Sequence, residues 1–121
     1  MNSLTLAYLG DAIYELYIRK YLISKNIVKI NDLQNEAIKY VSAKAQCNLL
    51  NKLIENNILT EEEIDIYKRA RNHKQNHKPK NTDIITYKNA TGLEAIIGYL
   101  YLNNKIDRID IIMNYIEGEV C

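Results

Sequence analysis

Two aromatic residue types are missing from this chain, and the usual helix breakers nearly are. It has no phenylalanine, no tryptophan, one proline and four glycines in 121 residues. So few breakers leave little material for the closely spaced turns of a strand-rich fold, and the expectation is an all-α chain with strand content close to zero. No run of about 18 apolar residues exists to cross a membrane. The first residues lack the basic region, apolar stretch and cleavage site of a signal peptide, so a cytoplasmic location without a membrane partner is expected. The only cysteines, Cys47 and Cys121, stand far apart without metal-ligand spacing and read as free thiols of a reducing compartment. The last absence is local: no acid occurs between Asp65 and Asp83. That interval holds Lys68, Arg69, Arg71, Lys74, Lys78 and Lys80, with His73 and His77 beside them. Taking those six cations from a net charge of +1 leaves −5 for the rest of the chain. An acidic body carries one basic segment, a more informative pattern than the near-neutral total.

What is present is enough for one core. Hydrophobic residues make up 47% of the chain, and the length suits a single domain over residues 1–121 that oligomerisation could help to stabilise. Ten tyrosines replace the absent aromatics. They fit either a wet groove or interface, where the hydroxyl finds a partner, or an AT-biased composition that also supplies the many Asn, Ile and Lys. The spacing predicts a first helix over about 3–23 and a second, capped by Asn31 or Asp32, to about 40. Ser42 opens a third to about 56, with Ala45, Leu49, Leu50, Leu53 and Ile54 as its core stripe. Thr60 and Glu63 match a capping box that starts a helix to about 71. Residues 72–82 read as a polar loop. A short helical or turn segment opens at Asp83 and runs to about Lys88. A helix over Ala90–Leu102 and an amphipathic helix over Asp107–Glu119 close the chain.

The sharpest signal is a carboxylate without a polar face. Residues Leu4–Ile18 are apolar nearly all round, the exceptions being Thr5, Gly10, Asp11 and Glu15. Such a helix is normally covered on all sides, and a carboxylate there must lose its charge or find a cation. Asp11 and Glu15 are one turn apart and repel by roughly 0.2–0.5 kcal/mol even in water. Ala90–Leu102 is the second such helix, with Glu94 its only charge. Packed together, with Gly10 and Gly98 permitting close approach, the two helices would bring Asp11 and Glu94 to one crevice suited to Mg²⁺. Two plainer readings stand beside this one. Thr91 and Glu94 fit a capping box at a helix start, and Asp11 could pair with a lysine or arginine. Glu15 reads as a supporting or rim charge. His73 and His77 have zinc spacing only if helical. They lie among Asn, Lys and Pro79 without a third ligand, so nucleic-acid contact or plain solvation is preferred. The basic segment suits phosphate binding.

These residues resemble a known family. LAYLGDAIYELYIRKYL at 6–22 resembles the signature helix of ribonuclease III enzymes, and TGLEAIIGYLYL at 91–102 resembles their second acidic motif. YVSAKAQ at 40–46 and the segment 69–91 look like the Mini-III ribonucleases, the compact bacterial branch without a double-stranded-RNA-binding domain. The resemblance spans about 4–119. Larger members carry acids at the positions of Ala7 and Thr91, so the matching ligands here are Asp11 and Glu94. The resemblance implies a homodimeric, all-α endonuclease fold and a Mg²⁺-dependent endoribonuclease acting on double-stranded RNA. Its products would be a 5′-phosphate and a 3′-hydroxyl, and its task the maturation of large-subunit (23S) ribosomal RNA precursor. A ribosomal protein or pre-ribosomal particle is a further implied partner. Asp11 and Glu94 would be catalytic and hold the metal, with Glu15 and Thr91 ordering waters around it. Lys68, Arg69, Arg71, Lys74, Lys78 and Lys80 would track RNA phosphates. With two direct carboxylates, metal binding should be weak and RNA-dependent, and Mn²⁺ should substitute. The rival is a non-catalytic module of the same fold that binds RNA or the ribosome, favoured by the acids lost at Ala7 and Thr91. A helical protein-interaction module with a basic arm explains the charge asymmetry but not the two acids.

Overall fold

Short polar side chains start four of the helices. A computed structural model describes residues 1–73 and 83–119, and there it holds α1 (Ser3–Ser24), α2 (Ile30–Val41), α3 (Ala43–Glu55), α4 (Glu61–Asn72), α5 (Ile84–Leu102) and α6 (Ile106–Glu119). No strand occurs among the described residues, in accord with the all-α expectation. Asn2, Ser42, Thr60 and Asp83 each accept a backbone N–H from the first turn of α1, α3, α4 and α5, satisfying donors that would otherwise be orphaned. Thr60 and Glu63 form the full reciprocal box. Helix α2 departs from expectation: it starts at Ile30 behind Lys29, without a side-chain cap, and Asp32 falls in its first turn.

The shortage of glycine is met by asparagine at the helix ends. Asn26, Asn57 and Asn104 follow α1, α3 and α5 with φ of 65°, 55° and 57°. Asparagine tolerates this left-handed region better than other side chains with a Cβ. At the last two ends the chain folds back so that Ile58 N–H bonds Leu53 O (3.0 Å) and Lys105 N–H bonds Leu100 O (2.8 Å).

Helix α5 is the axis of the molecule. It packs most extensively on α1 and then on α4 and α3, and Asn89–Leu93, Ala95–Gly98 and Leu100 are all buried. The predicted break near Lys88–Ala90 is absent, and Ile84–Leu102 is continuous. Nothing there interrupts a helix once Asp83 has capped it. The Thr91 hydroxyl bonds the Tyr87 carbonyl four residues back (2.9 Å) instead of capping a new start. Glu94 therefore lies mid-helix, and the capping-box alternative for it is excluded.

Gly10 and Gly98 mark the crossing of α1 and α5. A Cβ on Gly10 would fall on the Glu94 carbonyl oxygen, and one on Gly98 on the Leu6 carbonyl oxygen. The backbones touch there, which only glycine allows. Farther off, Arg108 of α6 forms a bidentate pair with Glu63, Nε to Oε2 at 2.8 Å and Nη2 to Oε1 at 2.7 Å, and also donates to Ile58 O (2.8 Å). Glu63 is 1% exposed, so a buried, well-satisfied ion pair ties α6 to the start of α4.

Several tyrosine hydroxyls connect helices. Tyr14 donates to Tyr40 O (2.7 Å), Tyr17 to Asp110 (2.7 Å) and Tyr67 to Asn89 (2.9 Å). Burial holds the Tyr14 phenol well above its ordinary range, so it stays a donor.

Candidate active site

The glycine crossing decides which side chains can meet. Asp11 follows Gly10 on α1, and Glu94 precedes Gly98 by one turn on α5. Leu4, Ala7, Tyr8 and Asp11 from α1 face Tyr87, Thr91 and Glu94 from α5 across one open cleft. The i, i+3, i+4 and i, i+4, i+7 spacings put each set on a single helical face.

Burial is divided unequally between the two acids. Asp11 is exposed, contrary to the expectation of a covered acid, whereas Glu94 is partly buried. The reason is that α1 has two apolar faces and this chain covers one. Tyr8, Leu16 and Ile23 remain 84%, 64% and 61% exposed. The energetic problem thus belongs to Glu94. Its carboxyl is pushed up to about 8, first by burial, then by a hydrogen bond with the Asp11 carboxyl and by that group's negative charge. Glu15 adds a smaller repulsion, and Gln46 opposes these effects by donating Nε2–H to Glu94 Oε2 at 3.4 Å. Among the described residues no lysine or arginine pairs with Asp11 or Glu94, which leaves the proposed basic partner of Asp11 without support there.

Two carboxyl groups lining one cleft, one of them partly desolvated, form a site that favours a proton or a cation. Among the described residues no group of three or more His, Cys, Asp or Glu converges on one point. Among the described residues the cleft offers these two carboxyl groups as hard-oxygen donors, and it is open to solvent beside them. Mg²⁺ commonly uses such a set.

The supporting residues separate. Thr91 is buried and lines the same cleft. Glu15 instead pairs with Arg19 (3.3 Å) and lines a neighbouring groove between α1 and α2. Gln46, Tyr8 and Tyr87 had received no role from the sequence. Tyr8 and Tyr87 precede Asp11 and Thr91 by three and four residues, a spacing that was available to find them. Gln46 occupies an apolar position on the 46/49/50/53 stripe of α3, a signal of the same kind.

Of the basic residues, Lys68 and Arg69 are exposed at the end of α4 and Arg71 is half-buried. The Arg71 guanidinium lies over the Tyr67 ring, 5.2 Å from its centroid. The Tyr67 hydroxyl reaches Asn89 on α5, so α4's basic end is anchored to the helix that carries Glu94. Lys74, Lys78 and Lys80, with His77, lie outside the described residues. Cys47 is a buried free thiol, accepting from Asn89 at 3.5 Å.

Comparison with known proteins bears on the family and the fold. The model of the ribonuclease III domain matches residues 4–105. The Mini-ribonuclease 3 of Brevibacillus brevis is 49% identical over 122 aligned positions, covering 98% of this chain and 90% of that protein. The Mini-ribonuclease 3 of Streptococcus pneumoniae is 45% identical over 115 positions, covering 95% and 90%. A crystal structure of a Fusobacterium nucleatum protein superposes with a TM-score of 0.84 at 42% identity, covering 98% of this chain and 94% of that one.

Proposed function

The chain belongs to the ribonuclease III family, and on that premise we propose that it is a Mg²⁺-dependent endoribonuclease that cleaves double-stranded RNA. The observation that carries this reading is that Asp11 and Glu94 line one open cleft without a basic partner among the described residues. A structural ion pair would have a lysine or arginine there. A bound Mg²⁺ would supply charge stabilisation at the phosphoryl group and a more acidic water.

The protein's own groups have separate tasks. Asp11, open to solvent, accepts a proton from the attacking water. The water oxygen bonds to phosphorus as the P–O3′ bond breaks, leaving a 5′-phosphate and a 3′-oxygen that takes its proton from a cleft water. Glu94, held from behind by Gln46, offers its carboxylate to the cation. Thr91 and the small Ala7 leave space for water where a further acid would stand. Glu15, paired with Arg19, tunes the local charge. With only two carboxylates, metal binding depends on the RNA phosphate, and Mn²⁺ substitutes.

Lys68, Arg69 and Arg71, with Lys74, Lys78 and Lys80, bind duplex phosphates and replace a separate RNA-binding domain. The substrate is large-subunit ribosomal RNA precursor, met in the cytoplasm with the help of a ribosomal protein or pre-ribosomal particle. Among the described residues no helix is long and apolar enough to cross a membrane. The enzyme works as a homodimer. Tyr8, Ala12, Leu16 and Ile23 form an exposed, mainly apolar stripe along α1, and a second copy would bury it.

The test is a long RNA duplex incubated with wild type and Asp11→Asn, with and without Mg²⁺. Cleavage requires both Mg²⁺ and Asp11. A non-catalytic RNA-binding module, the reading favoured by Ala7 and Thr91, would bind the duplex and leave it intact.

A further inference from the structure

Gln46 is a polar residue in an apolar place. On α3 it shares a stripe with Leu49, Leu50 and Leu53, all buried, and is itself 2% exposed. A leucine or methionine there would continue the core. Burying a primary amide instead costs roughly 1–3 kcal/mol unless it is hydrogen-bonded. The bond its amide makes is to Glu94, Nε2 to Oε2 at 3.4 Å. Ser42 fixes the start of the helix by accepting from Ala45 N–H (3.1 Å), and Gln46 N–H bonds Ser42 O (2.9 Å). The amide therefore comes from the anchored first turn of a helix packed on α5.

The neutrality of this donor matters. A lysine or arginine in its place would satisfy Glu94 by neutralising it and would repel a divalent cation. A glutamate would add a third negative charge without a proton to donate. An amide can hold an ionised carboxylate and leave its charge for a metal. Groups that orient a metal ligand from behind commonly change metal affinity or activity by about 10–100-fold when removed.

We infer that Gln46 is a positioning residue: it holds Glu94 Oε2 from the core side, so that the carboxylate is presented to a divalent cation in the Asp11–Glu94 cleft. This inference rests on the proposed metal-dependent activity. It adds a third helix, α3, to a site otherwise built from α1 and α5.

The experiment compares full-length wild type with Gln46→Met, which keeps the length and apolar packing of the side chain but removes the donor. Mn²⁺ binding is read, with a cleavage-resistant RNA duplex bound and against the duplex alone, by the loss of the free-ion electron paramagnetic resonance signal, and cleavage of an ordinary duplex is followed across a Mg²⁺ titration. The Mn²⁺ binding midpoint and the Mg²⁺ midpoint for cleavage both rise by about 10–100-fold. The cleavage rate at saturating Mg²⁺ returns to within a few-fold of wild type, and duplex affinity in EDTA is unchanged. Gln46→Leu, which suits the neighbouring leucines, gives the same shift if the methionine variant folds poorly. Wild-type midpoints in either folded variant overturn the inference. So does a fall in melting temperature with a lower rate at every metal concentration, because that pattern belongs to a packing role alone. Failure of wild type to cleave RNA at any Mg²⁺ concentration would instead overturn the functional reading on which the inference rests.

Discussion

Removing the Glu94 charge should make the metal-free protein more stable, and increasingly so as pH rises. The folded carboxyl is pushed from its ordinary value of 4.5 to about 8 by burial and by Asp11. The native state thus holds a proton that the unfolded chain releases above pH 4.5, and stability must fall with rising pH across that window. The slope approaches about 1.4 kcal/mol per pH unit between the two values and levels off above pH 8. Integrated, the cost is on the order of 3 kcal/mol at pH 7 and about 5 kcal/mol above pH 9. Against a typical stability of roughly 5–15 kcal/mol this is a large fraction. Urea unfolding from pH 5 to 9 in EDTA measures it directly. Wild type should lose stability over this range, whereas Glu94→Gln should be nearly flat across the same window and more stable than wild type at pH 8. Asp11→Asn should lie between them, because burial persists when the repulsion is removed. Parallel profiles for wild type and Glu94→Gln would refute the reasoning.

Three other perturbations test separate parts of the structure. Gly98→Ala should destabilise by at least about 1–3 kcal/mol in thermal or urea unfolding, since the new methyl meets the Leu6 backbone, and cleavage should fall with it. Arg108→Ala should cost about 3–5 kcal/mol by urea unfolding, because the buried Glu63 loses its charged partner. Replacing both Lys68 and Arg69 by alanine should weaken duplex binding with little change in fold. It should also lower the slope of log affinity against log salt by about two, roughly one per lost phosphate contact.

The sequence was most readable where local chemistry acts alone. Ser42 and Thr60 each announced a helix start, and Asp83 a helix or a turn, since a capping side chain needs only its own backbone. The same rule misled at Thr91. Its pattern with Glu94 imitates a cap, yet Asp83 had already started the helix and its hydroxyl turned back to Tyr87. The meeting of Asp11 and Glu94 could be anticipated because Gly10 and Gly98 are costly inside helices unless backbones must touch. Which acid is buried could not, because α1 is apolar on two faces and periodicity does not say which one this chain covers. Gln46 needed tertiary context: its place on a leucine stripe was visible, but the acid it serves lies 48 residues away on another helix. The basic segment was evident from composition, and its residues 74–82 lie outside the described structure.

The central claim is that Asp11 and Glu94 form a cation site for RNA cleavage. Its most direct test is the rate of Mg²⁺-dependent cleavage of a long RNA duplex by Asp11→Asn, with duplex affinity measured on the same sample. The account predicts lost cleavage, nearly unchanged binding and no rescue by added Mg²⁺. Wild-type cleavage by a folded Asp11→Asn protein would contradict it.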